Sequence, residues 1–443
     1  MNQPLDDSAL HAPESPESQL RVKLGALVAA AASEATGSGR ALSSLRGIAV
    51  YDGQKDEFVR SLGPFAQFAI GLPGLTLFPK HYGAGMEERI ALQLVYEYFA
   101  RATDVSADLM LLDSLWADFL AELSSPVWVT RTVTNLRLFQ CDTAGVILGD
   151  GVSIIGRDPD ALMAMGFSDR IVGELFAEWG GFGASSFVMV AEVSTPKNPH
   201  NVLRVDGGEC SLRCARAIGA LRLTAQGDVG MCKVFVHRIA RFNVGIGGMQ
   251  FAGNTLDPIG TAYIWDPQNR PAFGTLYASL ARLESVGYAK SPGNLDLALR
   301  SFMATFDRFP ASADMKLMDT VTALEAVLGT RTEITFRLSF RVASLLAGSD
   351  DERSTILEVM KTFYDARSRV VHGDHLEAKH SAALAAVDDL RDFLRRLLRA
   401  FVLLAADDTR PFAKKSFERD LDATLVSEVG REGVRVFLEL TNH

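Results

Sequence analysis

The sequence predicts a multidomain chain in which an α+β, β-rich N-terminal region precedes an all-α helical bundle. Three observations predict this. The chain has 443 residues, more than a single hydrophobic core usually serves. Its apolar periodicity changes from helical to alternating near residue 126 and returns to helical after about 273. Within the alternating part, Asp150-Gly151 stands between two β-branched runs, the dipeptide that suits a type I′ hairpin turn.

Taken in order, residues 1–40 are expected to be a disordered leader and linker. The start is acidic and rich in Pro and Ser, the reverse of the basic start that a signal peptide needs. "TGSG" at 36–39 interrupts the helix-prone, Ala-rich stretch 22–46. A β-rich domain is expected over 41–272. It opens with two helices in 86–124, where Leu92, Val95, Tyr96 and Phe99 share a face. Strands follow at 126–139, 145–156 (the hairpin), 185–195, 231–244 and 261–266, with a helix at 209–223.

The helical bundle is expected over 273–410. Its helices read as 273–288, 294–309, 313–328, 332–347, 350–372 and 374–406. Leu317, Val321, Leu324 and Leu328 form a packed stripe in the third of these. Gly373 is placed to end the 350–372 helix in a left-handed conformation. Asp374 and Glu377 have capping-box spacing, so a new helix is expected just after Gly373. Residues 411–443 are a C-terminal extension, an appended strand or helix.

Composition narrows the function. A net charge of −9 argues against broad electrostatic capture of nucleic acid or anionic membrane, while leaving room for a local basic site. The cysteines at 141, 210, 214 and 232 are too few for a disulfide scaffold, and reduced thiols in a cytoplasm are the simpler expectation. The longest apolar runs, 24–32 and 400–406, fall short of the roughly 18 residues of a spanning helix. A soluble cytoplasmic protein with no membrane partner is expected.

Cys210, Cys214, Cys232 and His237 invite a zinc reading, but the first two fall one turn apart on a helix and the last two on a strand. Residues five apart on a strand point to opposite faces, so no metal is expected and the thiols read as core. The glycine-rich stretches 179–186 and 243–254 match neither phosphate-binding glycine pattern, and no cofactor is expected.

The remaining signal lies in three helices containing "DTVTALEAVL", "FRLSFRVASLLAG" and "LEVMKTFYDARSRVVHG". In this order they resemble the HEPN superfamily, specifically its Apea-like bacterial branch, over about residues 294–406. The resemblance implies a helical bundle that forms a homodimer. It also implies a metal-independent endoribonuclease in which Arg367 and His372 of the two copies face each other across the interface. Ser368 follows the arginine, as is usual in that branch, and Glu325 matches a family glutamate that orients Arg367 or His372. An ordinary salt bridge from Glu325 to Arg337 or Arg341 is the competing reading.

Asp374 stands where some members carry a modifiable tyrosine, so that switch is not expected. The family further implies phage defence or a toxin-like stress response, with the N-terminal domain sensing a trigger or selecting RNA. The chemistry suits RNA, whose 2′-hydroxyl is a built-in nucleophile. Histidine can take its proton near neutrality, and arginine can grip phosphate oxygens bidentately.

A non-catalytic dimerisation or binding module is the alternative, and a small-ligand sensor using the HEPN cleft a third possibility. Asp319, Arg369, His375 and His380 are expected to be solvated. "RRLLRAF" at 395–401 reads as a basic solvated or dimer-facing surface.

Overall fold

In this computed structural model the described residues are scattered positions between 21 and 102, then 108–165, 167, 172, 186–196, 207–238, 248–250, 260–308, 312–329, 333–410 and 414–440, less positions 289, 290, 292 and 425. The architecture is a small antiparallel sheet region followed by a largely helical C-terminal region.

Helical residues among the described positions of 21–33 and 94–101 precede α1 (Leu109–Ser124), which begins where the Asp108 carboxylate accepts the Met110 N–H at 2.8 Å. Phe99 is buried as expected; Leu92, Val95 and Tyr96 lie outside the described residues. The strands are β1 (Val127–Arg137), β2 (Phe139–Gln140), β3 (Gly145–Gly149), β4 (Val152–Gly156), β5 (Phe187–Pro196), β6 (Gly230–Arg238), β7 (Gly248–Gln250) and β8 (Tyr263–Ile264). Helices α2 (Pro159–Ala164) and α3 (Gly207–Thr224) interrupt them. The sheet order is β3-β4-β5-β1-β6-β7, antiparallel throughout, and β2 and β8 form a separate two-residue parallel pair.

The β3–β4 hairpin turns at Asp150 (φ 51°) and Gly151 (φ 73°), the two positive φ values that a type I′ turn requires. Residues 239–244 of the expected fourth strand lie outside the described residues.

β5 shows why the sheet has two cores. Val188 and Val190 face one side, where they meet Val133, Leu162 and Phe167. Met189, Ala191 and Val193 face the other, where they join the main core. The alternation follows from the strand's period of two. On that main face α3 lays Cys210, Cys214, Ala217, Ile218 and Leu221 against the sheet, a helical stripe in fully buried positions.

The opposite side of α3 packs on the C-terminal helices. These are α4 (Arg270–Val286), α5 (Leu295–Asp307), α6 (Ala313–Leu328), α7 (Ile334–Leu346), α8 (Asp350–His372), α9 (Ala378–Ala385), α10 (Val387–Ala406), α11 (Lys414–Ala423) and α12 (Glu428–Phe437). Apolar contact is continuous from the sheet through α3 into α4 and α10. At Gly219 a Cβ would stand 3.2 Å from the Met303 terminal methyl, which keeps α3 close to α5. The stripe of Leu317, Val321, Leu324 and Leu328 is buried.

One expectation is corrected. Residues 374–406 are two helices, divided at Ala386 (φ −100°, ψ 18°), and the first begins at Ala378 rather than just after Gly373. The stretch after 411 forms α11 and α12, whose Phe417, Leu421, Val434 and Leu438 enter the common core. Among the described residues no helix is long and apolar enough to cross a membrane.

The turn after α3 is tied to α10 by a buried ion pair. Asp228 accepts from Arg391 at 2.7 Å and from the Thr261 N–H at 2.7 Å, and both side chains of the pair are nearly inaccessible. Burial opposes ionisation of Asp228, but Arg391 and the Thr261 N–H together hold the carboxyl below its usual range. A carboxylate whose folded-state pKa is depressed stabilises the fold above its unfolded value and loses that contribution as pH falls through the folded one. Asp228→Asn should therefore cost about 1–3 kcal/mol at neutral pH, because buried Arg391 loses its buried partner and keeps only the exposed Asp388, at 3.0 Å. Urea titrations of wild type and variant should converge as the pH is lowered.

Candidate functional site

α8 carries the motif and is built to end where it does. Ser349 caps its start, its hydroxyl accepting the Glu352 N–H at 3.2 Å. Asp350, Asp351 and Glu352 occupy the first turn, and Arg369 and His372 the last, matching the helix dipole at both ends. Ile356, Met360, Phe363 and Ala366 form its buried face. Gly373 stops it at φ 70°, ψ 23°. The Asp374 N–H reaches the Arg369 carbonyl at 2.9 Å, and the Gly373 N–H reaches the Val370 carbonyl at 3.3 Å. This is the paired pattern of a Schellman end.

Arg367 stands beside the buried face and is half-buried. Its guanidinium lies 3.8 Å from Glu325 of α6 and 6.0 Å from the centroid of the Tyr364 ring. Tyr364 donates its hydroxyl to the other Glu325 oxygen at 2.9 Å. Burial, and then the bond to the Glu325 carboxylate, raise the Tyr364 phenol above its ordinary value. Glu325 thus faces Arg367, and not Arg337 or Arg341. Those two bind Asp422 of α11, at 3.2 and 2.5 Å, and Arg341 also donates to the Leu328 carbonyl at 2.6 Å.

The Arg367 Nε is buried without a hydrogen-bond partner among the described residues. Ser368 is half-buried next to it. Tyr364 was not singled out from the sequence, although it lies three residues before Arg367 and so on the same helical face.

His372 is exposed at the helix end, with no hydrogen bond or ion pair among the described residues. The helix is continuous from Arg367 to His372. Five residues therefore separate the two side chains by about 140° in rotation and roughly 7.5 Å along the axis. One phosphate cannot lie between them on a single copy while the helix keeps this form.

Several neighbours differ from expectation. The cap of α9 is Glu377 with His380, not Asp374 with Glu377. His380 is fully buried: its Nδ1 accepts the Glu377 N–H at 3.1 Å, and its Nε2 bonds Asp365 at 2.7 Å. That arrangement leaves Nδ1 unprotonated and puts the ring proton on Nε2. His380, then Arg369 and Lys379, hold the Asp365 carboxyl below its usual range, against the opposing effect of burial.

Arg369 is not solvated either. It binds Glu377 at 2.9 Å and the His375 carbonyl at 2.9 Å, pinning the connecting turn to α8. Asp319 is buried in an ion pair with Arg308 at 2.5 Å. His375 is exposed as expected.

Cys210 donates its thiol to the Thr130 carbonyl at 3.3 Å, and burial pushes the Cys214 thiol up to about 12. Cys232 and His237 lie on β6. Among the described residues no group of three His, Cys, Asp or Glu side chains is placed to hold a metal.

Comparison with known proteins returns no matching family model, no similar curated protein and no similar solved structure.

Two glycines with equally open surroundings separate the effect of backbone conformation from that of space. An added Cβ would meet nothing within 4 Å at Gly373 or at Gly433, but only Gly373 has positive φ. Gly373→Ala should destabilise by about 1–2 kcal/mol. Gly433→Ala, inside α12, should stabilise by about 0.5–1 kcal/mol. Thermal melts that moved in the same direction for both would contradict this account of the helix end.

Proposed function

We propose that the chain is an endoribonuclease of HEPN type in which Arg367 of one copy and His372 of a second act on one RNA phosphate. The observation that carries this reading is the divergence of the two side chains on one continuous helix. Arg367 is held by Glu325 and Tyr364 with its Nε unpartnered among the described residues, and His372 is exposed at the Gly373 end. A two-fold pairing of copies along α8 would bring the complementary groups together. Val371, 47% exposed beside His372, supplies an apolar contact for such a pairing.

In this mechanism His372 takes the proton of the 2′-hydroxyl. The 2′-oxygen bonds to phosphorus, the bond to the 5′-oxygen breaks, and the departing oxygen is protonated from solvent. Arg367 neutralises the charge that gathers on the non-bridging oxygens, and the Glu325 carboxylate orients its guanidinium. Ser368 supports the arginine from the same turn. The products are a 2′,3′-cyclic phosphate and a 5′-hydroxyl. On this reading the β-rich region selects RNA or senses a trigger in the cytoplasm, in a defence or stress response.

The test is incubation of purified wild type and His372→Ala with total RNA in EDTA, followed by analysis of fragment ends. Wild type should give cyclic-phosphate ends, and the variant should be slower by at least about 100-fold. Equal cleavage by both would remove His372 from the reaction. RNA left intact by both would favour a non-catalytic dimerisation or binding module.

A further inference from the structure

α10 was expected to present a basic surface over 395–401, but three of its arginines instead line a recess. Arg395, Arg396 and Arg399 are each half-buried. They border a cavity of about 410 Å³, walled on the far side by the end of α3 and the turn after it (Thr224 to Gln226) and by Leu438 to Leu440. That volume suits a small organic ligand.

Among the described residues the charges in the recess do not balance. Arg395 is bound to Asp392 at 2.6 Å, and donates to the Leu223 and Thr224 carbonyls at 3.4 and 3.3 Å. Among the described residues Arg396 reaches only a carbonyl, that of Leu346, at 3.5 Å. Arg399 has no hydrogen bond and no ion pair among the described residues. The one acid on the rim among the described residues, Glu439, is taken by Arg410 at 2.7 Å.

Two guanidinium groups therefore share one recess without a carboxylate partner among the described residues. Burial, and then the charge of Arg395, lower the Arg399 pKa, the signature of a cation held in an unfavourable place. A half-buried unpaired charge is costly unless a partner arrives. Guanidinium forks lining one recess match the oxygens of a dianion better than those of a monoanion.

We infer that this recess is a phosphate site, in which Arg396 and Arg399 hold the phosphate of a small phosphorylated molecule and Leu403 and Leu438 cover its less polar part. The site is separate from the Arg367 and His372 chemistry. It joins the turn after α3, the middle of α10 and the C-terminal segment, so occupancy would tie these three parts together.

Calorimetric titration with inorganic phosphate and with pyrophosphate, at ionic strength fixed by chloride, tests this. Wild type should bind one equivalent of pyrophosphate saturably. Arg399→Met should weaken that binding by about tenfold or more. Arg300→Met, an exposed arginine on α5 outside the recess, should leave it unchanged. Without ligand, Arg399→Met should melt at the same temperature as wild type or higher, since it removes a desolvated cation.

Absence of saturable binding to wild type at millimolar pyrophosphate would overturn the inference, as would equal affinity in the Arg399 variant. A marked loss of stability or failure to fold in that variant would also overturn it, by making Arg399 a structural residue. Binding of an RNA oligonucleotide through Arg399 without pyrophosphate binding would do the same.

Discussion

The architecture rests on α3 burying both of its sides. Its first half meets the sheet through Cys210 and Cys214. From Arg216 to its end every residue is buried, because α4, α5 and α10 cover what the sheet does not. A helix buried all round has no place for unpaired charge, and its two arginines there are matched. Arg216 pairs with Glu284 at 2.6 Å, and Arg222 pairs with Asp307 at 2.7 Å while stacking on Phe306. Arg391 stacks on the same ring and pairs with Asp228. The sheet and the C-terminal helices therefore meet through one apolar layer closed by specific ion pairs.

The candidate site depends on a simpler constraint. An α-helix turns about 100° per residue, so two side chains five apart diverge unless the helix is broken. α8 is not broken until Gly373. Its Schellman end fixes the place where His372 leaves the helix, and Glu325 with Tyr364 fixes where Arg367 points. Together these make a single copy an incomplete site for a reaction that needs both groups.

Strongly periodic elements with clear stops were legible in the sequence. The bounds of α6 and α8, the turn at Asp150-Gly151 and the left-handed Gly373 all follow from local rules. The division of 374–406 was not legible, because "AALAAVDD" contains no Gly or Pro and its alanines and leucine favour continuation. Several polar residues were misread because their partners come from distant segments. His380 is buried because Asp365, fifteen positions earlier, receives its Nε2. Asp319 is buried by Arg308. Arg337 and Arg341 are engaged by Asp422, in a segment read only as an extension. Glu325 and Arg367 are likewise far apart in sequence, and neither composition nor spacing alone placed them together; the family resemblance suggested the pairing.

On the proposed reading, RNA cleavage needs Arg367 and His372 from different copies. It is tested most directly by mixing Arg367→Ala with His372→Ala, each inactive alone, under conditions that exchange subunits. Random pairing makes half the dimers mixed, and each mixed dimer holds one intact composite site, so activity should recover to about a quarter of wild type. Mixed dimers that form but recover no RNA cleavage would contradict the account.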